Sequence, residues 1–536
     1  MDAIKNRDAE NQSKLGSGIL RRDFLVLSSA MVVAGAWNIR AEECGEAPLT
    51  LPKQIMMNWQ DDMQTTMTVT WRTDAVLDPV RLRYRPEGTT GEYVDVEGVS
   101  GTFALTSAWI NSVELKGLCP GTRYEVVIPH ETHPETFSFA TLPALPNRIE
   151  FVAGGDTHVQ SISSRERKRA LQAAAAAMDP HFVLIAGDLW YGHWNYEGWV
   201  DWFFDDWHDQ MNTRDGRRLP LVPVEGNHDG LKYFWQKGVD PEDPKSNDPF
   251  FFNRFKLPGE QRYYTLRSGD DLAIIVLNSD HSAPMAGEQT AWLERALQDN
   301  QDAQWIVVTS HLGPYPRKCQ NRGREKWMRD NWVPLCEKYG VDLYIHGHYH
   351  DYKQTYPLRN GQIDEKNGII YLGGGAMAER LSTQTCDGEW YLREDELSYN
   401  FYRISLMGTE KNSVLCYEPV LFPEDYPVSP SREGNPFILG NPTDEQVLDF
   451  AAHSAAFDRL EKIFSTPVVD NLVLPTRWMK NVSIEWESSA PDVISTTGVV
   501  TGPSAGLAQQ TTTLTATVSV GTQSTQRVFH AENPVI

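Results

Sequence analysis

Short runs in which apolar and polar residues alternate fill the chain between residues 48 and 143. Thr66-Met-Thr-Val-Thr-Trp-Arg72, Val80-Arg-Leu-Arg-Tyr-Arg85 and Thr136-Phe-Ser-Phe-Ala-Thr141 each repeat with a period of two. This is the period of a strand with one buried face. Turn residues separate the runs, and no part of this region has a convincing helical pattern. The pattern predicts a small β-sandwich.

The pattern changes between residues 148 and 419, where continuous apolar runs alternate with stretches of helical spacing. Helices are predicted at residues 164–178, 287–297 and 325–339, the last ended by Gly340. The apolar runs are interpreted as strands covered on both faces, which is typical of a parallel sheet. These strands are predicted at residues 149–153, 182–186, 221–224, 272–277, 305–308, 343–345 and 369–372.

A passage rich in Pro, Gly and Asn around residues 427–442 separates this region from a further helix, predicted at residues 443–464. Thr443 is its predicted N-cap, and Asp444 and Glu445 occupy the first turn. The chain then returns to alternating strand patterns. The chain is therefore divided into an all-β region, an α/β region, a linker with a helix, and a second all-β region.

Length and charge narrow the functions open to this chain. Its 536 residues exceed one ordinary core, so about two to four domains are expected. The formal net charge of −23 argues against broad attraction to nucleic acid or to an anionic membrane. Any phosphate that binds must therefore meet a local positive charge, which bound metal ions can supply within an acidic protein.

The N-terminus has the composition of an export signal. A basic stretch that includes Arg21 and Arg22 precedes an apolar run at residues 24–36, and Ala34-Gly35-Ala36 offers a small-x-small cleavage site. The apolar run is too short to span a bilayer comfortably. The segment resembles the twin-arginine signals that export folded proteins, so residues 1–36 are predicted to direct the chain to the periplasm or the extracellular space.

Six cysteines follow this segment, with neither a CxxC motif nor a Cys/His zinc spacing. An even number in an exported chain permits disulfides, and the pairing stays open. We expect these residues to be structural rather than catalytic. They are Cys44, Cys119, Cys319, Cys336, Cys386 and Cys416.

Several predicted strands of the α/β region are followed at once by a polar cluster. Loops at the carboxyl edge of a parallel sheet converge on one crevice, and glycine lets the backbone turn tightly enough to aim the next side chain inward. Asp, Asn and His are ligands for zinc, manganese or iron, so a metal site is predicted there. The clusters are Gly155-Asp156-Thr157-His158, Gly187-Asp188-Leu189-Trp190-Tyr191, Gly226-Asn227-His228-Asp229, Ser310-His311 and Gly347-His348-Tyr349-His350.

The ordered clusters resemble those of the calcineurin-like metallophosphoesterases, and several details are similar to purple acid phosphatases in particular. The pattern Gly-Asp-x-x-Tyr matches Asp188 and Tyr191, and the pattern Val-x-x-His matches Val308 and His311. Residues 347–357 are close to the last motif of that family. This resemblance leaves the C-terminal region unexplained.

The fold implied is multidomain, with a central α/β domain, an αββα sandwich, between two all-β sandwich domains. Leu118-Cys-Pro-Gly-Thr-Arg-Tyr124 resembles the segment of fibronectin type III domains in which the Tyr forms a corner hydrogen bond. Asp492-Val-Ile-Ser, a Thr-Gly turn and Val499-Val-Thr resemble bacterial immunoglobulin-like modules. The predicted domains are fibronectin type III-like at 47–144, metallophosphoesterase at 148–420, linker and helix at 421–465, and immunoglobulin-like at 466–536.

The resemblance also implies a dinuclear centre, with iron paired with zinc, manganese or a second iron. The two metals would clamp a phosphoryl oxygen and activate a water for in-line attack on phosphorus. His228 matches the family position proposed to contact phosphate and protonate the leaving oxygen. The implied ligands are Asp188 as the bridge, Asp156 and His350 on one metal, and Asn227, His311 and His348 on the other.

One departure from the family leaves the ligands of the first metal open. Purple acid phosphatases use a Tyr ligand and usually lack a His two residues after the first Asp, whereas this chain has both Tyr191 and Asp156-Thr157-His158. His158 is favoured as a ligand, and Tyr191 is either a ligand or a wall of the substrate pocket. Trp190 and His193 are predicted to line the leaving-group side, while the Trp-rich stretch 199–207 is assigned to the core by its helical spacing.

The leading hypothesis is a hydrolase of phosphate monoesters, with a small phosphate ester as its partner. A phosphodiesterase acting on cyclic nucleotides or phospholipid head groups is the closest alternative, because the same metal pair supports both reactions. A third alternative is a cell-surface binding protein with a vestigial catalytic domain, against which the intact ligand positions argue. Neither nucleic acid nor stable membrane insertion is expected, and contact with cell wall or matrix stays open for the C-terminal β domain.

Overall fold

The computed structural model forms two units, residues 1–47 and residues 48–536. The first unit lies outside the described residues, and so does the predicted signal at 1–36. No helix among the described residues is long and apolar enough to cross a membrane. The structure describes residues 50–103, 106–145, 147–230, 248–260, 262–317, 323–373, 375–382, 389–409, 412–422, 432–433, 436–440, 442–464, 472, 474–475, 482–500 and 511–532.

Strands build the N-terminal domain, as the alternating pattern predicts. They are β1 (Lys53–Asn58), β2 (Met67–Thr73), β3 (Arg81–Pro86), β4 (Val94–Glu97), β5 (Val99–Thr102), β6 (Trp109–Leu115), β7 (Arg123–Ile128) and β8 (Glu135–Ala140). Within the described residues they form two antiparallel sheets, in the orders β1-β2-β6-β5 and β4-β3-β7-β8. The hydroxyl of Tyr124 accepts the backbone N–H of Cys119 at 2.8 Å, which confirms the predicted corner.

The central domain follows from β9 onward. Its strands are β9 (Ile149–Gly154), β10 (Phe182–Ile185), β11 (Leu221–Pro223), β12 (Tyr264–Ser268), β13 (Leu272–Val276), β14 (Trp305–Ser310), β15 (Leu343–His346), β16 (Tyr352–Thr355), β17 (Leu358–Arg359), β18 (Gln362–Ile363), β19 (Ile370–Gly373), β20 (Leu392–Glu396), β21 (Tyr399–Met407), β22 (Val414–Phe422), β23 (Arg432–Glu433) and β24 (Phe437–Leu439).

Most of these strands form two large sheets, as an αββα sandwich requires, while β17 and β18 form a separate two-stranded sheet. The first has the order β11-β10-β9-β21-β22-β23, with β24 also paired to β22, and the second has the order β12-β13-β14-β15-β19-β16-β20. Strands β9, β10 and β11 are parallel to one another, and so are β13, β14, β15 and β19. Their continuous apolar residues are buried along almost their whole length, because both faces of each sheet are covered.

Helices connect the strands, close to the predicted positions. They are α1 (Ile162–Ala176), α2 (Gly192–Gln210), α3 (Pro249–Arg254), α4 (Glu288–Asp299), α5 (Gly323–Asn331) and α6 (Val333–Tyr339), with a 3₁₀ turn at Pro258–Glu260. The helix predicted at residues 325–339 is in fact α5 and α6. Pro334 causes the break, since proline has no N–H and clashes with the carbonyl four residues earlier. Gly340 ends α6 with a φ of 75°, as predicted.

The C-terminal region combines two helices with a sheet. These elements are α7 (Asp444–Ala452), α8 (Ala455–Phe464), β25 (Val482–Ser488), β26 (Thr511–Val520) and β27 (Gln523–Glu532), and the strands form an antiparallel sheet in the order β25-β26-β27. The single helix predicted at 443–464 is divided at His453 and Ser454. Thr443 is the N-cap of α7, and it exchanges hydrogen bonds with Gln446 in a capping box.

Two further predictions meet the structure here. The stretch predicted as linker and helix at 421–465 also contributes β23 and β24 to the first central sheet, so part of it belongs to the central domain. Among the predicted structural cysteines, Cys119, Cys336 and Cys416 are free thiols. The remaining three, Cys44, Cys319 and Cys386, lie outside the described residues.

Candidate metal centre

The predicted ligands lie on loops at the carboxyl ends of parallel strands, in both central sheets. Each loop begins where the backbone of its strand stops pairing with the neighbouring strands. The polar side chains that follow can therefore point into the crevice at this edge of the sheet. The first sheet contributes through the loops after β9, β10 and β11, and the second through those after β14 and β15. These loops carry, in chain order, Asp156, Asp188, Asn227, His311, and the pair His348 and His350.

The backbone of these loops is strained. The φ angle is 57° at Asp156, 55° at Asp188, 77° at His348 and 50° at His350. All four values lie in the left-handed region, which residues other than glycine rarely adopt. Such conformations cost free energy and concentrate at functional sites. Glycine is also required at position 226, where a Cβ atom would lie 2.2 Å from the backbone nitrogen of Asp188.

One group of ligand atoms joins Asp188, Asn227, His311 and His348. Nε2 of His311 lies 3.2 Å from Oδ2 of Asp188, 3.1 Å from Oδ1 of Asn227 and 3.2 Å from Nδ1 of His348. Nδ1 of His311 donates to the carbonyl oxygen of Ala186 at 2.8 Å, because a carbonyl can only accept. Nε2 therefore faces two acceptor oxygens, and either a proton on Nε2 or a cation between the three atoms can satisfy them. Carboxylate, amide and imidazole donors fit a metal ion at this meeting point.

The same geometry recurs at His350 and Asp156. Nδ1 of His350 donates to the carbonyl oxygen of Arg380 at 3.0 Å, while Nε2 lies 3.2 Å from Oδ1 of Asp156. The other oxygen of Asp156 accepts the backbone N–H of His348 at 2.8 Å. While the ring of His350 is neutral, its only N–H is on Nδ1, so the buried Oδ1 of Asp156 has no hydrogen-bond donor. A buried acceptor without a donor is costly unless a cation serves it, so this pair also fits a metal ion.

His158 completes the crevice. Its Nδ1 donates to the carbonyl oxygen of Asp188 at 3.2 Å, which leaves Nε2 buried without a hydrogen-bond partner. Ligand atoms of His158, Asp188 and His228 lie within 4.8 Å of one another, and so do those of Asp188, His311 and His348. Asp188 belongs to both groups, as a bridging ligand does.

Burial and charge act strongly on this cluster. Burial alone would raise the pKa of Asp188, but the nearby His311 and His228 hold it well below its usual range. Burial would lower the pKa of His311, but the carboxylate of Asp188 raises it to about 9. Burial lowers the pKa of His158 well below its usual range. The carboxylate of Asp188 is therefore ionised and can bind a cation. The ring of His158 is neutral, so one of its nitrogens has a lone pair for a metal ion.

Tyr191 and His158 lie side by side. Their rings are 4.2 Å apart at an angle of 74°, and the side chain of Tyr191 is buried. The hydroxyl of Tyr191 forms a hydrogen bond with Glu379; burial and the charge of that carboxylate raise the pKa of the phenol far above its usual value. Glu379 also reaches His158, with 3.7 Å between Oε2 and Nε2. The structure thus brings the two alternative ligands into contact with each other at the edge of the cluster.

Of the two residues predicted to line the leaving-group side, Trp190 is buried in the core. Trp190 is only 1% exposed and packs against Phe203, Phe204, Phe251 and Phe255, with ring centroids 5.3 to 6.4 Å apart. Its indole N–H is satisfied by a backbone carbonyl. The structure therefore corrects the prediction, because the ring is committed to the core. The side chain of His193 lies outside the described part of the chain.

Sequence reasoning left three residues of this site without a role. Asp229 was quoted in the motif but given no function, although its position beside Asn227 was the available signal. Glu379 lies far along the chain from His158, and no motif marks it. His281, in the loop after β13, is buried with its ring 5.3 Å from that of His311. Its position after a predicted strand would have placed it at the same edge.

Three family models match parts of this chain. A family model described as calcineurin-like phosphoesterase matches residues 121–352. The chain contains a calcineurin-like phosphoesterase domain. The segment before the core of this domain matches the purple acid phosphatase N-terminal domain over residues 52–141. Residues 455–532 match the atrophied bacterial Ig domain, so the Ig-like prediction is confirmed and the match also includes α8.

Several proteins are similar to this chain over more than the phosphoesterase domain. An uncharacterized protein of Mycobacterium tuberculosis is 26% identical over 446 residues, covering 70% of this chain and 82% of that protein. Purple acid phosphatase 23 of Arabidopsis thaliana is 25% identical over 360 residues, covering 60% of this chain and 74% of that protein. Tartrate-resistant acid phosphatase type 5 of Oryctolagus cuniculus is 24% identical and covers 42% of this chain and 72% of that protein.

A solved structure shares the fold. Purple acid phosphatase PPD1 from yellow lupin (Lupinus luteus) seeds superimposes with a TM-score of 0.59 at 16% sequence identity, covering 74% of this chain and 76% of that chain. This likeness confirms the predicted fold class, with a central metallophosphoesterase domain after an N-terminal β domain.

Proposed function

We propose that this protein is an exported dinuclear metallophosphoesterase that hydrolyses phosphate monoesters. The observation that carries the proposal is the position of Asp188. Its carboxylate belongs to two groups of donor atoms at once, one with His311 and His348 and one with His158 and His228. A carboxylate shared in this way supports a bridge between two metal ions, which is the arrangement that clamps a phosphoryl group.

The protein supplies the site and the proton. Two metal ions held by these ligands would neutralise the phosphoryl oxygens and lower the pKa of a water for attack on phosphorus. The backbone N–H of His228 donates to Oδ1 of Asp188 at 2.7 Å, which fixes this residue beside the centre. Its side chain is 20% exposed, and Nε2 lies 3.9 Å from Oδ2 of Asp188. A proton on that nitrogen is therefore available to the leaving oxygen, which is the role proposed for His228.

Monoesters are proposed ahead of diesters because two of the relatives above are named as acid phosphatases, purple acid phosphatase 23 and tartrate-resistant acid phosphatase type 5. For the metals we propose iron with zinc, manganese or a second iron, since the donors are carboxylate, amide and imidazole. Export rests on the twin-arginine-like segment around Arg21 and Arg22. Replacing both arginines by lysine and fractionating the cells tests it, because retention of the variant in the cytoplasm is expected.

Activity is tested with two substrates that differ only in the number of ester bonds. The metal-loaded protein should hydrolyse p-nitrophenyl phosphate with a higher kcat/KM than bis(p-nitrophenyl) phosphate. Asp188→Ala and Asn227→Ala should each reduce turnover by about 1,000-fold or more, because metal ions supply several kcal/mol of transition-state stabilisation. Asp270→Asn is the matched control, since that carboxylate is 89% exposed and remote from the ligand loops.

Two outcomes would contradict the proposal. Faster turnover of the diester than of the monoester would assign the protein to the phosphodiesterases, with the same metal centre. Undiminished phosphatase activity in both alanine variants would mean that the activity comes from a contaminant, and a binding role for the protein would then be the better account.

A further inference from the structure

Asp229 is a fully buried carboxylate at the edge of the metal centre. It accepts four backbone N–H groups, two on each oxygen. Oδ1 accepts from Leu189 at 2.7 Å and from Trp190 at 3.2 Å, and Oδ2 accepts from Gly226 at 2.7 Å and from Asp188 at 3.1 Å. Burial and the charge of Asp188 raise the pKa of Asp229, whereas the backbone N–H groups lower it by favouring the ionised form. Both oxygens are surrounded by donors, so neither has room for a proton, and hydrogen bonds to an ionised acceptor are the strong ones.

These four donors come from two different ligand loops. Asp188, Leu189 and Trp190 belong to the loop after β10, which carries the proposed bridging carboxylate. Gly226 belongs to the loop after β11, which carries Asn227 and His228. Asp229 therefore links two loops that reach the centre from neighbouring strands, and it does so directly behind the ligand atoms.

The link also runs in the opposite direction. Oδ1 of Asp188 accepts the backbone N–H of His228 at 2.7 Å, and the carbonyl oxygen of His228 accepts the N–H of Gly192 at 2.8 Å. The indole of Trp190 donates to the carbonyl oxygen of Asp229 at 3.0 Å. The aromatic packing of Trp190 thereby anchors the same two loops to the core, which explains why that side chain is not a substrate wall.

No neutral isostere can reproduce this arrangement. Asparagine would turn one oxygen into an NH₂ group that faces two N–H donors, so two hydrogen bonds would be lost and replaced by repulsion. The backbone of Asp188 has a left-handed φ of 55°, which must be maintained by its surroundings. Two of the four donors lie at or next to that strained residue.

We propose that Asp229 is a positioning residue, which holds Asp188 and Asn227 in register before the metal ions bind. This inference rests on the proposed dinuclear function of the site. It assigns to Asp229 no contact with metal or substrate, since its oxygens are occupied by backbone donors. Without it the two loops separate, the shared carboxylate moves away from one of its two donor groups, and the centre holds one metal ion instead of two.

The experiment uses manganese(II) and measures occupancy rather than turnover. Metal analysis of the wild-type protein should give two manganese ions per chain, with the electron paramagnetic resonance signal of a coupled pair. Asp229→Asn should give one, with the signal of an isolated ion, and the affinity for the second ion should fall by about 10- to 100-fold. Asp229→Glu keeps a carboxylate, whose two oxygens can accept four hydrogen bonds, and should recover the coupled signal in part. The matched control is Asp342→Asn. The carboxylate of Asp342 also accepts a backbone N–H, that of Ile306, but it lies at the start of β15, at the end of the strand away from the ligand loops.

A second measurement needs no variant and so does not depend on folding. In the metal-free wild-type protein, the amides of Asp188, Leu189, Trp190 and Gly226 should exchange with deuterium as slowly as those of the core strands. Rapid exchange of these amides would mean that the loops are held together only by metal, and this would overturn the proposal. A coupled pair of full affinity in Asp229→Asn would overturn it as well. If the wild-type protein binds no metal at all, the proposed function fails, and the exchange rates still test Asp229.

Discussion

Nε2 of His311 and Oδ2 of Asp188 lie 3.2 Å apart, with both side chains almost completely buried. The other ring nitrogen of His311 is committed to the carbonyl oxygen of Ala186. The lone pair of one residue thus faces the charge of the other, and only a proton or a metal ion can occupy the space between them. The chemistry of the site depends on which of the two is present.

Asp188 and His311 should differ in how many metal ions they control. Asp188→Asn should lower the occupancy of both metal positions, because its carboxylate belongs to both donor groups. His311→Gln should lower the occupancy of one position only. Manganese or iron content per chain checks this after dialysis against limiting chelator. Equal loss in both variants would mean that Asp188 does not bridge.

Iron loading should separate the roles of Tyr191 and His158. The hydroxyl of Tyr191 is bonded to Glu379, whereas Nε2 of His158 is buried without a hydrogen-bond partner. His158→Ala is therefore expected to reduce metal content, and Tyr191→Phe is expected to leave metal content unchanged when metal is in excess. A broad visible band in the iron-loaded protein that disappears in Tyr191→Phe would instead assign the Tyr as the ligand.

Acid should destabilise the folded protein through His181. Burial, aided by the positive charge of Arg217, lowers the pKa of His181 to about 4, while the unfolded chain keeps an ordinary value near 6.5. The unfolded state then binds more protons between these values, so stability falls as the pH drops from about 6.5 to about 4, by up to about 3 kcal/mol. His181→Gln should flatten this fall in melting temperature. His530→Gln, on an exposed part of β27, should not.

The corner of the N-terminal domain offers a test that is independent of the metals. Tyr124→Phe removes the acceptor for the N–H of Cys119 and should lower the free energy of unfolding of that domain by about 1 kcal/mol. Urea denaturation followed by tryptophan fluorescence measures this change, and phosphatase activity at 25 °C should be unaffected. Tyr339→Phe, which loses a hydrogen bond to the half-exposed Glu294, is the control with little expected effect. A loss of activity in Tyr124→Phe would show that the domain does more than support the fold.

Local chemistry explains what could be predicted. The period-two runs gave the N-terminal sandwich, since a half-buried strand needs alternation whatever it pairs with. The candidate Asp, Asn and His ligands could be placed at one edge of the sheets because each follows a glycine or a strand end. Boundaries were less certain, as the break at Pro334 between α5 and α6 illustrates: the helical spacing continues across it, but the missing N–H divides the helix.

Long-range packing decided the remainder. That the parallel strands divide between two sheets depends on which of them pair, and β9 pairs with β21, some 250 residues further along the chain. Trp190 looked available because it follows Asp188, yet the phenylalanines that enclose it come from α2, from α3 and from Phe255. Glu379 acquires a role only because the fold carries it to His158 and Tyr191. The sequence by itself determined which candidate ligands the chain offers and the sheet edge at which they lie, because strand ends and glycines act locally. Only the tertiary structure decided which oxygens and nitrogens face one another, because those distances depend on contacts between residues far apart in the chain.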